Sequence, residues 1–377
     1  MTTLRTVLAA VALAGGFFAA YRLAPRGPGV PAPGWFPDPS SDVVRQRWWD
    51  GRAWTGSLRD GGDAAPRGHR FRGRFWGTWA LWLLGAVAVL VGGTALYRSS
   101  GEVHVIGATS LLGMAGVCCA FYGFVDRQLG LSTTVRGRHV VAVTVATSGA
   151  TLVLAQPVNS WVIDTAGIRT ATATVGLVEE GTKLLVPVLL LLLGSYRDPR
   201  AGIGIGLASG FGFAITEATL YAYQLPEAAG PSLCGGQGIP TDPSSVASAQ
   251  VVRIVVAEPM HWLWTGIAVA VAWRLWHLHG RRGTAGAVTA FLAVAVAHSL
   301  NDSASSDLCD LPALDRFLGL ERYGLLIASY LVFRAWARKS TPPTLVGRVT
   351  RAWTPRHLPT SPAADATDGA ERPAGRP

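Results

Sequence analysis

Nine stretches of this 377-residue chain are apolar and close to the length that crosses a bilayer, and that recurrence limits the fold more than any other feature. They fall near residues 5–22, 75–97, 105–125, 140–157, 172–195, 201–225, 251–276, 284–304 and 323–338. Lipid offers no water to unpaired backbone groups, so segments of this kind cross as helices. With hydrophobic residues at 49% and charged residues at only 15%, an ordinary soluble domain is excluded. The expectation is an all-α multispan membrane protein of eight to nine transmembrane helices, with residues 75–338 as its polytopic body.

The formal charge of +10 raises nucleic acid as a partner, but the placement of the basic residues argues against it. Residues 22–74, 126–139, 196–200, 277–283 and 334–377 together carry 25 Lys and Arg. The alternate connections hold only Arg98, Arg169, Arg316 and Arg322. Cytoplasmic loops collect Lys and Arg, so the first set and the C-terminus are assigned to the cytoplasm. Topology thus accounts for the basic excess, and no nucleic acid is expected. Residues 1–24 read as a transmembrane segment with its N-terminus outside. Val7 to Ala20 also has the character of a signal-peptide core, the alternative for this segment.

Outside the spans, residues 30–57 combine turn formers with tryptophans: Pro37-Asp38-Pro39 and Asp50-Gly51 mark turns, and "RQRWW" and "RAWT" read as strands of a small cytoplasmic hairpin. Gly34, Trp35, Phe36, Pro37, Asp38, Pro39, Trp48, Trp49, Asp50, Gly51, Trp54 and Thr55 make it similar to a short bacterial module of unknown function. Its tryptophans form either the core of a very small domain or a groove for a Pro-rich or other protein partner. Residues 58–74 are a Gly/Arg-rich linker, and 339–377 a Pro-rich tail expected to be disordered. Cys234 and Cys309 fall in two outer loops, where a disulfide is expected, whereas Cys118 and Cys119 read as small packing residues within the membrane.

Ionisable residues inside the spans carry the chemistry. Each charge at a helix centre costs roughly 2.5–3.5 kcal/mol on insertion scales. Nevertheless "VEEGTKLLV" places Glu179, Glu180 and Lys183 within an otherwise apolar or small stretch from Thr172 to Leu193. The next spans add Glu217, then Glu258 and His261, then His298 and Asp302. At about 1.5 Å per residue, Glu179, Glu180 and Glu217 come roughly 12–14 Å below the outer helix ends, His261 about 15 Å and His298 about 9 Å. Four helices running in alternate directions thus deliver acids and imidazoles to one layer, as a functional pocket requires. Lys183 can neutralise either glutamate by i,i+3 or i,i+4 spacing. Asp302, i,i+4 from His298, suits a carboxylate that orients an imidazole. The i,i+3 pair Glu258 and His261 has the spacing found in di-metal bundles, a weak signal alone. Gly202, Gly206 and Gly210, with Gly204, Ala208 and Gly212 beside them, are small-residue faces for close helix packing.

Taken together, Glu179-Glu180-x-x-Lys183, Phe213-x-x-x-Glu217, His261 within "PMHWLWTG" and His298-x-x-x-Asp302 resemble the four motifs of the PrsW-type intramembrane proteases. These lie within the wider superfamily that includes the CAAX-processing endopeptidases. The resemblance covers about residues 170–305. Ala218 stands where an asparagine is expected, and Glu258 is an unusual acid beside the third motif. The resemblance implies hydrolysis of a peptide bond in a single-pass membrane protein, often an anti-sigma factor in a stress response, at a bacterial plasma membrane. In that reading Glu179 is the general base, Glu180 orients the water, and Lys183 sets their charge balance. Glu217 would hold the water or a metal, His261 and His298 would stabilise the oxyanion or ligate that metal, and Asp302 would orient His298. Glu217, His261 and His298 could complete a zinc site, yet no H-E-x-x-H pattern is present. Two other readings use the same residues: a proton-coupled transporter, and an inactive scaffold that binds transmembrane partners.

Overall fold

The computed structural model describes residues 2–24, 34–37, 45–49, 54–60, 75–227, 241–307 and 312–341. The proposed Cys234–Cys309 disulfide, most of the linker and the Pro-rich tail lie outside them. In chain order the elements are α1 (Thr2–Leu23), β1 (Gly34–Pro37), β2 (Arg45–Trp49), β3 (Trp54–Asp60), α2 (Phe75–Ser100), α3 (Val103–Leu129), α4 (Gly137–Ala150), α5 (Gln156–Leu192), α6 (Pro199–Gln224), α7 (Pro243–Val252), α8 (Glu258–His279), α9 (Thr284–Asp307) and α10 (Pro312–Ser340). The Trp-rich module is a three-stranded antiparallel sheet in the order β1-β2-β3, one strand more than the expected hairpin, and β3 runs on to Asp60. Trp35 and Trp48 meet edge to face across β1 and β2, with the Arg59 guanidinium over Trp35, so these tryptophans pack on one another.

Six helices among the described residues are long and apolar enough to span a membrane: Thr3–Leu23, Thr78–Ser100, Val103–Leu129, Pro199–Glu227, Pro243–Trp276 and Arg281–Ser303. The three other expected spans are also helical but do not reach that standard. One of them departs from the expected course. Where the sequence suggests a loop at 157–171, α4 passes through a π-helical turn, Thr151–Ala155, straight into α5. The break comes at Gly167, whose φ of 82° and ψ of 166° are open to glycine and strained for other residues. A straight helix would hold residues 159 and 179 about 30 Å apart. The Asn159 amide instead donates to Glu179 Oε1 at 3.1 Å, so the chain reverses at Gly167 and α5 folds into two limbs.

Helix α6 runs through the middle of the bundle because its small residues admit neighbours on two sides. A side chain at Gly202, Gly206 or Gly210 would collide with Trp273, Val269 or Trp262 of α8. At Gly212 it would meet the Thr144 carbonyl of α4. Thr144 and Ser148 donate to the Ala208 and Gly212 carbonyls, each at 3.0 Å, pinning α4 to α6. Cys118 belongs to the apolar core formed with Leu207, Phe211 and Trp262, whereas Cys119 is exposed. Helix α9 packs on both α5 and α8, and α10 also packs on α8. At the start of α7, Asp242 accepts from the Ser244 and Ser245 amides, and the Ser245 side chain, ahead of these amide bonds, holds its carboxyl below the usual range.

Candidate active site

Charge survives inside this bundle because the polar side chains are partnered with one another. From the second limb of α5, Lys183 is fully buried and its Nζ lies 2.7 Å from Glu180 Oε1 and 2.7 Å from His261 Nδ1. It also rests 4.2 Å from the ring centre of Phe213, the aromatic of the second motif. Three donors converge on Glu180: Lys183, the Thr265 hydroxyl at 3.1 Å and His298 Nδ1 at 3.0 Å. An ammonium only donates, so His261 Nδ1 accepts, and in a neutral ring the proton sits on Nε2, 2.8 Å from Glu217 Oε2. Glu217 Oε1 in turn pairs with Arg253 at 2.6 Å, and Arg253 Nε with Glu258 Oε1 at 2.9 Å. The result is one connected network across α5, α6, α8, α9 and the turn before α8.

Glu179 stands at the edge of this network. Its Oε1 accepts from Asn159, while Oε2 has no hydrogen-bond partner among the described residues. His298 Nε2 is 3.5 Å from that oxygen and Lys183 Nζ 3.9 Å. Asp302 is 36% exposed and lies 3.8 Å from His298 Nε2, so the shorter contact on the ring is that of Glu180 at Nδ1. Glu180 itself has no exposure and three donors, leaving it turned toward Lys183 and His298.

The structure thus gathers Glu179, Glu180, Lys183, Glu217, His261 and His298 into one buried cluster, with Asp302 at its margin. Sequence reasoning passed over two contributors. Asn159 carries no charge and fell in the expected outer loop. Arg253 was readable as a charge five residues before Glu258, but its relevance depends on the π-helical turn Arg253–Ala257.

A many-helix bundle with acids, imidazoles and an ammonium sealed in one polar cluster defines a membrane protein built around an internal chemical site. This chain belongs to the PrsW family of intramembrane metalloproteases, whose family model matches residues 133–335, and it is therefore a peptidase. Residues 33–67 match a second family, described as a protein of unknown function (DUF2510). No curated protein and no solved structure matches the chain.

Membership implies a metal ion, and the donor set fits one. A carboxylate only accepts, so Glu180 leaves the proton of His298 on Nδ1 and the lone pair on Nε2, as in carboxylate–histidine–metal arrangements. The ligand atoms of Glu179, His261 and His298 lie within 4.8 Å of one another, and so do those of Glu217, Glu258 and His261. The trio expected from sequence, Glu217, His261 and His298, is divided between these groups. Four buried glutamates also face two fixed cations, Lys183 and Arg253, which leaves room for a divalent ion's charge.

Proposed function

We propose that the chain hydrolyses a peptide bond of a membrane-embedded substrate with a water activated by Glu179, and that the substrate is a single-pass protein of the anti-sigma-factor kind in a bacterial plasma membrane. The observation that carries this reading is Glu179 Oε2, which accepts no hydrogen bond among the described residues while the lone-pair face of His298 Nε2 lies 3.5 Å away and no arginine claims it, as Arg253 claims Glu217 and Glu258. A general base needs a free oxygen and a fixed orientation, and Asn159 on Oε1 supplies the second. The water attacks the scissile carbonyl as its proton passes to Glu179; that proton then goes to the departing amine nitrogen as the C–N bond breaks. Lys183 supplies positive charge beside the developing oxyanion.

His298 Nε2 and His261 would hold the metal, with Glu179 beside them to take the proton of the water. A bound ion, with zinc the proposed identity, would polarise the water or the carbonyl. Three of the seven residues depart from the roles the motifs suggest: Glu217 pairs with Arg253 and His261, and Glu180 and Asp302 differ in what they reach. Glu180, buried among three donors, fixes His298 and Lys183, and Asp302 lies beside Nε2 at the rim.

Replacing Glu179 with Gln preserves shape and removes the base. Purified Glu179→Gln with a single-pass substrate is expected to yield no cut fragment, a loss of at least about 10²-fold. Wild-type cleavage by that variant, at wild-type expression, would rule out the assignment.

A further inference from the structure

Glu258 is the acid that the four motifs leave unexplained, and its partner identifies its role. In an α-helix, residues five apart point about 140° away from each other. The π-helical turn Arg253–Ala257 widens the coil by one residue and brings Arg253 and Glu258 to the same side. The guanidinium then reaches both Glu217 Oε1 at 2.6 Å and Glu258 Oε1 at 2.9 Å, while stacked 3.4 Å from the ring centre of Tyr221. The second oxygens of the same two glutamates face the other way, toward His261 Nε2 at 2.8 and 3.7 Å. Each carboxylate is thus gripped by Arg253 on one side and presented to His261 on the other.

Glu217, Glu258 and His261 have ligand atoms within 4.8 Å of one another, which taken alone is a plausible metal trio beside Glu179, His261 and His298. The difference between the two groups is Arg253. We infer that Arg253 is the built-in cation of the Glu217–Glu258 half of the cluster: it supplies the positive charge a second metal would bring, holds Glu217 against His261, and limits the site to one metal ion. This deepens the hydrolytic reading above and rests on it. Arg253 is a positioning residue here, acting through Glu217, and Glu258 is its counter-charge. The two are mutually dependent: without Arg253 two buried carboxylates face each other uncompensated, whereas without both the remaining charges are those of the motifs.

A pairwise replacement cycle on the full-length protein in detergent tests this, with Arg253→Met, Glu258→Met and the double variant compared with wild type for melting temperature and for Zn²⁺ retained after dialysis. The wild type is expected to retain one equivalent. Arg253→Met should melt lower by roughly 5–10 °C in the absence of Zn²⁺, and should gain a second equivalent when Zn²⁺ is supplied. The double variant should return to one equivalent and recover most of the lost melting temperature. Two equivalents on the wild type, or a double variant no more stable than Arg253→Met, overturns the inference. Absent cleavage by the wild type, with the one-equivalent and recovery results intact, would instead strike the hydrolase reading.

Discussion

Asn159 shows how much a single uncharged side chain can contribute in a low-dielectric site. Its amide is the donor that fixes Glu179 Oε1, and hydrogen bonds to charged groups are worth about 1.5–3 kcal/mol. Asn159→Ala is therefore expected to lower kcat by roughly 10- to 100-fold with little change in substrate binding. Asn159→Asp, which sets a second carboxylate against Glu179, should be worse. Steady-state cleavage kinetics on both variants check this, and an Asn159→Ala enzyme with wild-type kcat would remove the residue from the site. The charged members were legible in sequence because an ion inside an apolar run demands a reason. Asn159 gave no such signal, since asparagine at a loop boundary is ordinary. The roles of Glu180 and Asp302 could not be divided from spacing either. The i,i+4 relation of His298 and Asp302 is real, yet a carboxylate from another helix reaches the ring first.

At the scale of elements, the cluster depends on how near α5 and α9 come. Gly176 of α5 sits against α9 so closely that its amide donates to Ser299 Oγ at 3.0 Å, and a side chain there would collide with the Ala295 carbonyl. About one turn further along the same interface, Glu180 and His298 meet at 3.0 Å. Gly176→Leu should wedge the helices apart, costing about 1–3 kcal/mol by overpacking and separating that pair, so cleavage should fall with stability. Gly181→Ala is the contrasting variant: nothing lies within 4 Å of the added methyl, and exchanging glycine for alanine within a helix favours the fold by up to about 1 kcal/mol. Thermal unfolding in detergent distinguishes them, and a Gly176→Leu protein as stable as wild type would contradict the argument. The small-residue stripes of α6 were readable as close-packing faces from their four-residue period. The π-helical turns at Thr151–Ala155 and Arg253–Ala257 were not, because a one-residue widening leaves no mark in hydropathy.

For the whole molecule, the main question raised by the sequence is whether the first apolar segment stays with the chain, and packing bears on it. Helix α1 lies against α4 at two glycine contacts. A side chain on Gly16 would strike Ala146 and the Ala142 carbonyl, and one on Gly149 would strike the backbone at Ala9 and Leu13. Ala9 and Ala20 are buried, and the Tyr196 hydroxyl, between α5 and α6, donates to the Ala20 carbonyl at 2.8 Å. A segment destined for removal has no need of a matched glycine on its partner, and its loss would leave the buried Tyr196 hydroxyl without that acceptor. The prediction is that protein isolated from membranes retains residues 1–23, as N-terminal sequencing or intact mass would show. A mature chain beginning after Ala20 would defeat it. Retention carries an expectation for the side of the Trp-rich module as well. The Lys and Arg of residues 22–74 then follow an uncleaved span, and the positive-inside bias draws that connection to the cytoplasm. A cysteine introduced at Ser57 should accordingly react with a membrane-impermeant thiol reagent only after the cells are opened, and labelling of intact cells would reverse the orientation.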